Sequence, residues 1–260
     1  MRIVTWNINS VRARLARVEE FLTAYQPDVL CLQETKAQDE HFPREFFEDL
    51  GYPHLAIRGQ KSYNGVAIIS KVPFESTDHI NWCDKGDARH IAVTLKDGPT
   101  VHNFYVPAGG DKPDPEINEK FAHKMQFMDE MTAWSKTIDT PSILVGDLNV
   151  APFEEDVWDH KKLLKVVSHT PIEVDKMAEM VAAHDWVDVM RRIVPLPEKL
   201  FSWWSYRSKD WHASNYGRRL DHVWVSPSLG ETATHMEVVL EARGGEKPSD
   251  HAPVVVDFKF

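Results

Sequence analysis

The chain has 260 residues, 42% hydrophobic and 27% charged, which suits one ordinary soluble domain spanning residues 1–260. The formal net charge is −10, with a pI near 5.7, which excludes a generally basic nucleic-acid binder unless Lys and Arg are gathered locally. No apolar run is long enough to span a bilayer, MRIVTWNINS turns polar too early for a secretory leader, and two cysteines form no disulfide framework or CxxC zinc site; a reducing, cytoplasmic setting without membrane contact is expected.

RIVTWNI opens the chain as a strand, and residues 11–25 carry apolar positions at helical spacing until Pro27 stops them. DVLCLQET follows as a second buried strand, with Cys31 as a small hydrophobe inside it. FPREFFEDLGY is predicted as a short helix closed by Gly51. NGVAIISK, ARHIAVTLK and TVHNFYVP read as three strands, and residues 115–136 as a helix. SILVGDLNVAP is a further strand, residues 153–200 are helical and irregular, and LDHVWVS, MEVVLEA and APVVVDFKF are late strands. There is no solenoid repeat and no low-complexity tract. The strands alternate with loops more often than with helices, so the sheets are expected to be mixed or antiparallel.

Several predicted strands end on the same kinds of side chain. Asn7 and Asn9 close the first, Glu34 the second, Tyr105 follows HNF, and Asp147 and Asn149 end ILVGDLN. Asp221 opens one late strand, and Asp250 and His251 stand at the entrance to the last. Strand alternation turns Asp147 and Asn149 the same way. An Asx turn closing the strand explains that pair equally well, and each of the others has a comparable local explanation as a turn or cap. Together they are acids, amides, one histidine and one tyrosine, with no nucleophilic Ser or Cys among them. That set suits Mg²⁺-assisted hydrolysis of a phosphate ester. Magnesium takes carboxylate oxygens and acts as a Lewis acid on the phosphoryl group, while a carboxylate directs water and a His–Asp pair stabilises charge. GxSxG, HExxH, GxGxxG and GxxxxGK are all missing from the chain.

TWNIN, LQETK, GQKSYNGVAIIS, YVP, GDLNVAP, WSYRSK, RLDH and EKPSDHAPV stand in the order found in exonuclease III type apurinic/apyrimidinic endonucleases, which the chain resembles from Thr5 to Val254. GDLN and SDHAPV alone would indicate only the wider endonuclease, exonuclease and phosphatase superfamily. The resemblance implies an α/β (α+β) four-layer sandwich: two mixed, largely antiparallel β-sheets flanked by helices. It implies that Glu34 is the principal metal ligand, with Asn7, Asp147, Asn149, Asp250 and His251 also at the metal site. Asp147 would direct or deprotonate the attacking water, Asn149 would hold the phosphate or that water, and Tyr105 would serve the scissile phosphate or leaving group. His251 would stabilise the phosphate, with Asp221 orienting it. The implied cofactor is Mg²⁺, with Mn²⁺ substituting. The implied substrate is double-stranded DNA with abasic sites or blocked 3′ ends, cut 5′ to the lesion by an enzyme that also trims 3′ ends and acts as a 3′→5′ exonuclease. A monomer is expected because the sequence shows no heptad and no conspicuous apolar stripe. Two positions depart from the family pattern: His222 stands where an apolar residue is usual, and AGGD follows the Tyr-x-Pro strand end.

The segment Phe201 to Leu220 interleaves aromatic and basic residues. Trp203, Trp204, Trp211, Arg207 and Lys209 are the candidates there for DNA contact, with Trp203 or Trp204 lining a sugar pocket by resemblance. The competing explanation is that any one of these rings is core. Lys120 and, in a loop, Arg89 are further phosphate-contact candidates. Two other functions stay open at this point: a phosphoesterase acting on RNA, inositol phosphates or lipid headgroups, and a DNA-binding protein that has lost catalysis.

Overall fold

The computed structural model describes residues 1–208 and 210–260. Among the described residues fourteen strands form in chain order: β1 (Arg2–Asn7), β2 (Val29–Gln33), β3 (His54–Arg58), β4 (Val66–Ser70), β5 (Phe74–Asp78), β6 (His90–Leu95), β7 (Thr100–Tyr105), β8 (Ser142–Asp147), β9 (Val187–Asp188), β10 (Trp203–Trp204), β11 (Gly217–Arg218), β12 (Asp221–Val225), β13 (Ala233–Val238) and β14 (Val254–Phe258). The helices are α1 (Leu15–Tyr25), α2 (Arg44–Asp49), α3 (Glu119–Ser135), α4 (His160–Leu163), α5 (Pro171–Ala182), α6 (Val189–Ile193) and α7 (Trp211–Ser214). Among the described residues no helix is long and apolar enough to cross a membrane.

Two six-stranded sheets result, ordered β13-β14-β1-β2-β4-β3 and β5-β6-β7-β8-β12-β9. Each contains one parallel pair, β1 with β2 and β7 with β8, among antiparallel neighbours. The strands read as continuous apolar runs because both faces of each sheet are covered. Alternate residues divide between layers. Ile3, Val29, Cys31 and Ile68 pack inward against Val93, Val101, Val145 and Val223 of the facing sheet. Val4, Leu30, Leu32 and Ile69 pack outward on Phe21, Leu22 and Phe47 of α1 and α2. On the far side, Phe104 and Leu144 meet Phe121, Met128 and Met131 of α3 and Met177 and Met180 of α5. The result is the expected four-layer sandwich with two mixed sheets inside.

Some boundaries differ from the sequence reading. The edge strands β3 and β5 were not anticipated; β5 is largely exposed, so its sequence FESTD carries no apolar alternation. The strand expected over MEVVLEA starts earlier, at Ala233, and stops at Val238, where the chain turns through a 3-10 segment at Leu240–Arg243. The first helix begins at Leu15, four residues later than expected, and α3 begins at Glu119 after the Asn118 side chain caps it.

Strand register places chemistry at one end of the sandwich. Tyr105 lies beside Asp147 in the β7–β8 pair, and Asp147 beside Asp221 in the β8–β12 pair. Asn7 lies beside Gln33, the residue before Glu34. A buried polar tie joins the sheets below this end: Gln33 Nε2 donates to Thr5 Oγ1 (2.9 Å) and Asn103 Oδ1 (2.7 Å).

Gly146 makes this register possible. Its φ is +139°, and an added Cβ would stand 1.9 Å from the carbonyl oxygen of Phe104 on the neighbouring strand. Gly146→Ala is therefore expected to cost more than about 2 kcal/mol of stability through strain and clash. Urea unfolding measures this; a midpoint equal to wild type would show that β7 and β8 can separate without penalty.

Candidate active site

The strand ends carry their side chains into one cleft of about 540 Å³, lined by Glu34, Tyr105, Asp147, Asn149, Asp250 and His251 together with Trp158, Trp203, Arg207, Tyr216 and Arg218. The chain leaves its strands here through left-handed backbone, with φ of +49° at Glu34, +54° at Asn149 and +47° at Asn9. Asn tolerates this region, while Glu34 is strained in it, as residues at functional sites often are.

Glu34 receives three donors. Asn7 Nδ2 (3.0 Å) and the Tyr105 hydroxyl (2.8 Å) reach Oε1, and Lys36 Nζ lies 2.8 Å from Oε2. Burial opposes its charge, but Lys36 and the hydrogen bonds outweigh this and hold its carboxyl below the ordinary range. The same Asn7 Nδ2 donates to Asp147 Oδ2 at 2.9 Å, so one amide ties the two carboxylates together. Asp250 accepts from Asn9 Nδ2 (3.1 Å) and from the Trp203 indole (3.0 Å). Burial works against the Asp250 charge too, and His251 with these donors lowers its pKa nonetheless.

His251 Nδ1 lies 2.8 Å from Asp221 Oδ2, and its Nε2 lies 3.6 Å from Asp147 Oδ2, too far for a hydrogen bond. Burial disfavours the imidazolium, but Asp221 and Asp147 on either side overcome this and shift the pKa of His251 upward. Asp147 shifts upward as well, chiefly because it is fully buried. The Tyr105 pKa rises through burial and the neighbouring Glu34 and Asp147, so its hydroxyl stays a donor.

Asp147 and Asn149 of GDLN depart from simple strand alternation. β8 ends at Asp147, and the Asn149 backbone N–H donates to Asp147 Oδ1 at 3.0 Å, an Asx turn. Both residues still face the cleft. Asn149 Nδ2 is spent on the Val106 carbonyl (2.9 Å), which leaves its side-chain oxygen for the cleft.

Asp147, Asp221 and His251 offer donor atoms within 4.8 Å of one another, a buried group that could hold a metal ion. Asp221 Oδ1 is buried without a hydrogen-bond donor, so this end of the sheet has more acceptors than donors. The wider oxygen set of Glu34, Asp147 and Asp250 fits a hard cation. Two residues expected among the ligands also have other contacts. Asn7 spends its NH₂ on Glu34 and Asp147, and its oxygen accepts from the Asn9 N–H (3.0 Å), so it positions carboxylates. His251 Nδ1 is taken by Asp221, which leaves Nε2 for a metal or a phosphate oxygen.

The Endonuclease/Exonuclease/phosphatase family matches residues 4–251 of this chain. The chain is 34% identical to exodeoxyribonuclease III of Haemophilus influenzae, with both chains covered in full. It belongs to the exodeoxyribonuclease III branch of that family. Its fold is similar to an AP endonuclease from Archaeoglobus fulgidus (TM-score 0.93, 33% identity) and to a 3′ phosphatase from Neisseria bound to a product DNA hairpin (TM-score 0.92, 31% identity), each pair covered completely.

The surroundings of this exodeoxyribonuclease III-type site sort the other candidates. Trp203 and Arg207 line the cleft. Trp204 does not: it is buried under Phe201 and Trp211, and its indole donates to Asn215 Oδ1. Trp211 packs on Trp204 and under the Arg243 guanidinium, so it supports the loop instead of lining the cleft. Arg89 is paired with Asp87, donates to the Tyr105 carbonyl and sits over the Tyr105 ring, so its charge is engaged beside the site. Lys120 is exposed in the first turn of α3, beside Gly110 and Asp111 of the AGGD loop. Lys209 lies outside the described residues.

Sequence reasoning left several participants without a role. Lys36, inside the quoted LQETK, bridges Glu34 and Asn9 Oδ1 (2.6 Å). Ser249 Oγ donates to the Asn7 carbonyl (2.6 Å) and accepts from the His251 N–H (3.2 Å), which fixes the SDH segment against β1. Lys124, on the buried face of α3, donates to the Asn149 carbonyl (2.8 Å) and pairs with Glu173. A lysine at a core position of an amphipathic helix was the available signal. His222, the departure in RLDH, lies buried on the opposite side of the strand from Asp221, with Nε2 at 2.8 Å from the Val150 carbonyl. Burial pushes its pKa down to about 3, so it stays neutral beneath the GDLN turn.

Proposed function

We propose that this chain is a Mg²⁺-dependent DNA-repair nuclease that hydrolyses the phosphodiester 5′ to abasic sites in duplex DNA and trims blocked 3′ ends. The observation that carries the reading is the convergence of Glu34, Asp147, Asp250, Asn149 and the His251–Asp221 pair on one cleft whose other wall is aromatic and basic. Mg²⁺, held by Glu34, Asp147 and Asp250, would supply Lewis-acid stabilisation of the phosphoryl oxygen and leaving group. The rest is the work of the side chains. Asp147, raised in pKa and fixed by Asn7, takes the proton of the attacking water or aligns it. Asn149 holds that water, accepting its hydrogen bond through the free side-chain oxygen. His251 Nε2, unsatisfied at 3.6 Å from Asp147, donates to a phosphate oxygen while Asp221 keeps the ring oriented and charged. The Tyr105 hydroxyl serves the leaving group.

The similar proteins are named for exodeoxyribonuclease, AP endonuclease and 3′ phosphatase activities, and all three reactions hydrolyse a phosphate ester. The test is a duplex with one abasic site, an undamaged duplex and the single strand, each incubated with Mg²⁺ or EDTA. A single nick at the abasic duplex that leaves a 3′-hydroxyl, vanishes in EDTA and returns with Mg²⁺ or Mn²⁺ is expected. A folded protein that leaves all three intact would overturn the DNA reading and direct attention to RNA, inositol or lipid phosphates.

A further inference from the structure

Arg218 lines the same cleft, yet among the described residues no carboxylate pairs with its charge. Its main chain is held on both sides, opposite Trp203 in the β10–β11 ladder and opposite Val157 in an isolated bridge. Trp203 is bridged in turn to His251. The backbone of Arg218 therefore stands two strand spacings, about 10 Å, from that of His251. Its guanidinium lies 5.2 Å from the centre of the Trp203 ring, and Trp203 is pinned by its indole bond to Asp250. Arg218 Nη1 donates to the Val167 carbonyl (3.1 Å) and Ser168 Oγ (2.8 Å), while Nε is buried and without an acceptor.

The contrast with the next residue is direct. Arg219 is bound by two carboxylates, Asp156 and Asp188. For Arg218 the acid with an appreciable field is Glu173, and the Glu173 oxygens are already taken by Lys124, the Ser168 N–H and Thr170. Burial pushes the Arg218 pKa down accordingly. A buried cation costs free energy unless an anion meets it, and arginine's planar fork suits a phosphate. The reacting phosphate belongs at Asp147 and His251, two strands away. What remains within reach is its neighbour on the same DNA strand.

We infer that Arg218 is a specificity residue that binds a second, non-reacting phosphate of the DNA strand, adjacent to the one being cut. It acts from a wall that also carries Trp203 and Arg207 and offsets the negative field of the carboxylates. The inference rests on the reading of the cleft as a DNA phosphodiesterase site.

The test uses duplexes with one tetrahydrofuran abasic analogue, fully charged or with a single neutral methylphosphonate immediately 5′ or immediately 3′ of the scissile phosphate. kcat/KM is measured for the wild type, Arg218→Met and Arg218→Lys. One of the two neutral positions is expected to lower wild-type kcat/KM by about 10- to 100-fold, mainly through KM. Arg218→Met should be weakened to a similar degree on the charged duplex and then lose less than about threefold on neutralisation, because the partner charge is already gone. Arg218→Lys should keep part of the sensitivity. A wild type indifferent to both methylphosphonates overturns the proposal, whether or not Arg218→Met folds; so does an Arg218→Met enzyme with undiminished sensitivity. A wild type that cuts none of the duplexes, including the charged one, overturns the underlying reading and this inference with it.

Discussion

Asp147→Asn is expected to lower kcat on an abasic duplex by about 10²- to 10⁴-fold, the range associated with loss of a positioned general base. The amide has the shape of the carboxyl but cannot take a proton from water. It also removes one of the negative charges that sustain the charge on His251 and one of the oxygens suited to the metal. The fold should survive. Asp147 is fully buried, and burial opposes its ionised form and raises its pKa, so a neutral isostere relieves a penalty. Steady-state rates paired with circular dichroism measure both halves of the statement. Turnover within tenfold of wild type, from a protein with an unchanged spectrum, would remove Asp147 from the proposed mechanism.

Asp156→Ala should have the largest effect on stability, about 3–5 kcal/mol, because it strips two buried guanidinium groups of their shared anion. Asp156 Oδ1 accepts from Arg191 Nε (3.1 Å) and Arg219 Nε (2.8 Å), and Oδ2 from Arg219 Nη2 (2.9 Å) and the Phe153 N–H (3.1 Å). Arg219 and Asp156 are both fully buried. Arg219 would keep Asp188 at 2.7 Å, and Arg191 the carbonyls of Val194 and Glu198. Neither arrangement replaces a carboxylate shared by two cations. In a chain of this size the Tm should fall by about 6–20 °C. The network holds the start of β12, and so Asp221, from behind without touching the cleft. Turnover by the folded protein at low temperature should therefore suffer far less than stability. A Tm within 2 °C of wild type would show that water reaches the two arginines.

These two carboxylates mark the boundary of what could be read beforehand. Asp147 stands in GDLN at the end of an apolar run, and both its strand and its chemistry follow from local pattern. Asp156 stands in FEEDV, where three acids in succession look like a solvated loop. Only the packed structure shows that one of them is buried between two arginines more than thirty residues away. The same distinction separates Trp203 from Trp204. Neighbours in sequence, they point to opposite sides of β10, so one lines the cleft and the other packs in the interior. Which side is which depends on the pairing of β10 with β11 and on the bridge to His251, neither of which the aromatic-rich segment announces.

By itself the sequence determined the mixed α/β class, most of the strands, and the acids, amides, histidine and tyrosine at their ends. Those features are written in local periodicity and residue type, which an isolated segment already carries. Tertiary structure alone decided that Tyr105, Asp147 and Asp221 stand abreast, that one Asn7 amide joins Glu34 to Asp147, that Lys36 pairs with Glu34, and that Lys124 faces inward. It also decided that Arg219 is neutralised by two carboxylates while Arg218, one residue before it, donates to a backbone carbonyl and a serine hydroxyl. The reason is physical. Register, burial and counter-ions are set by contacts between residues far apart in the chain, and an ionisable side chain takes its charge state and its role from those contacts.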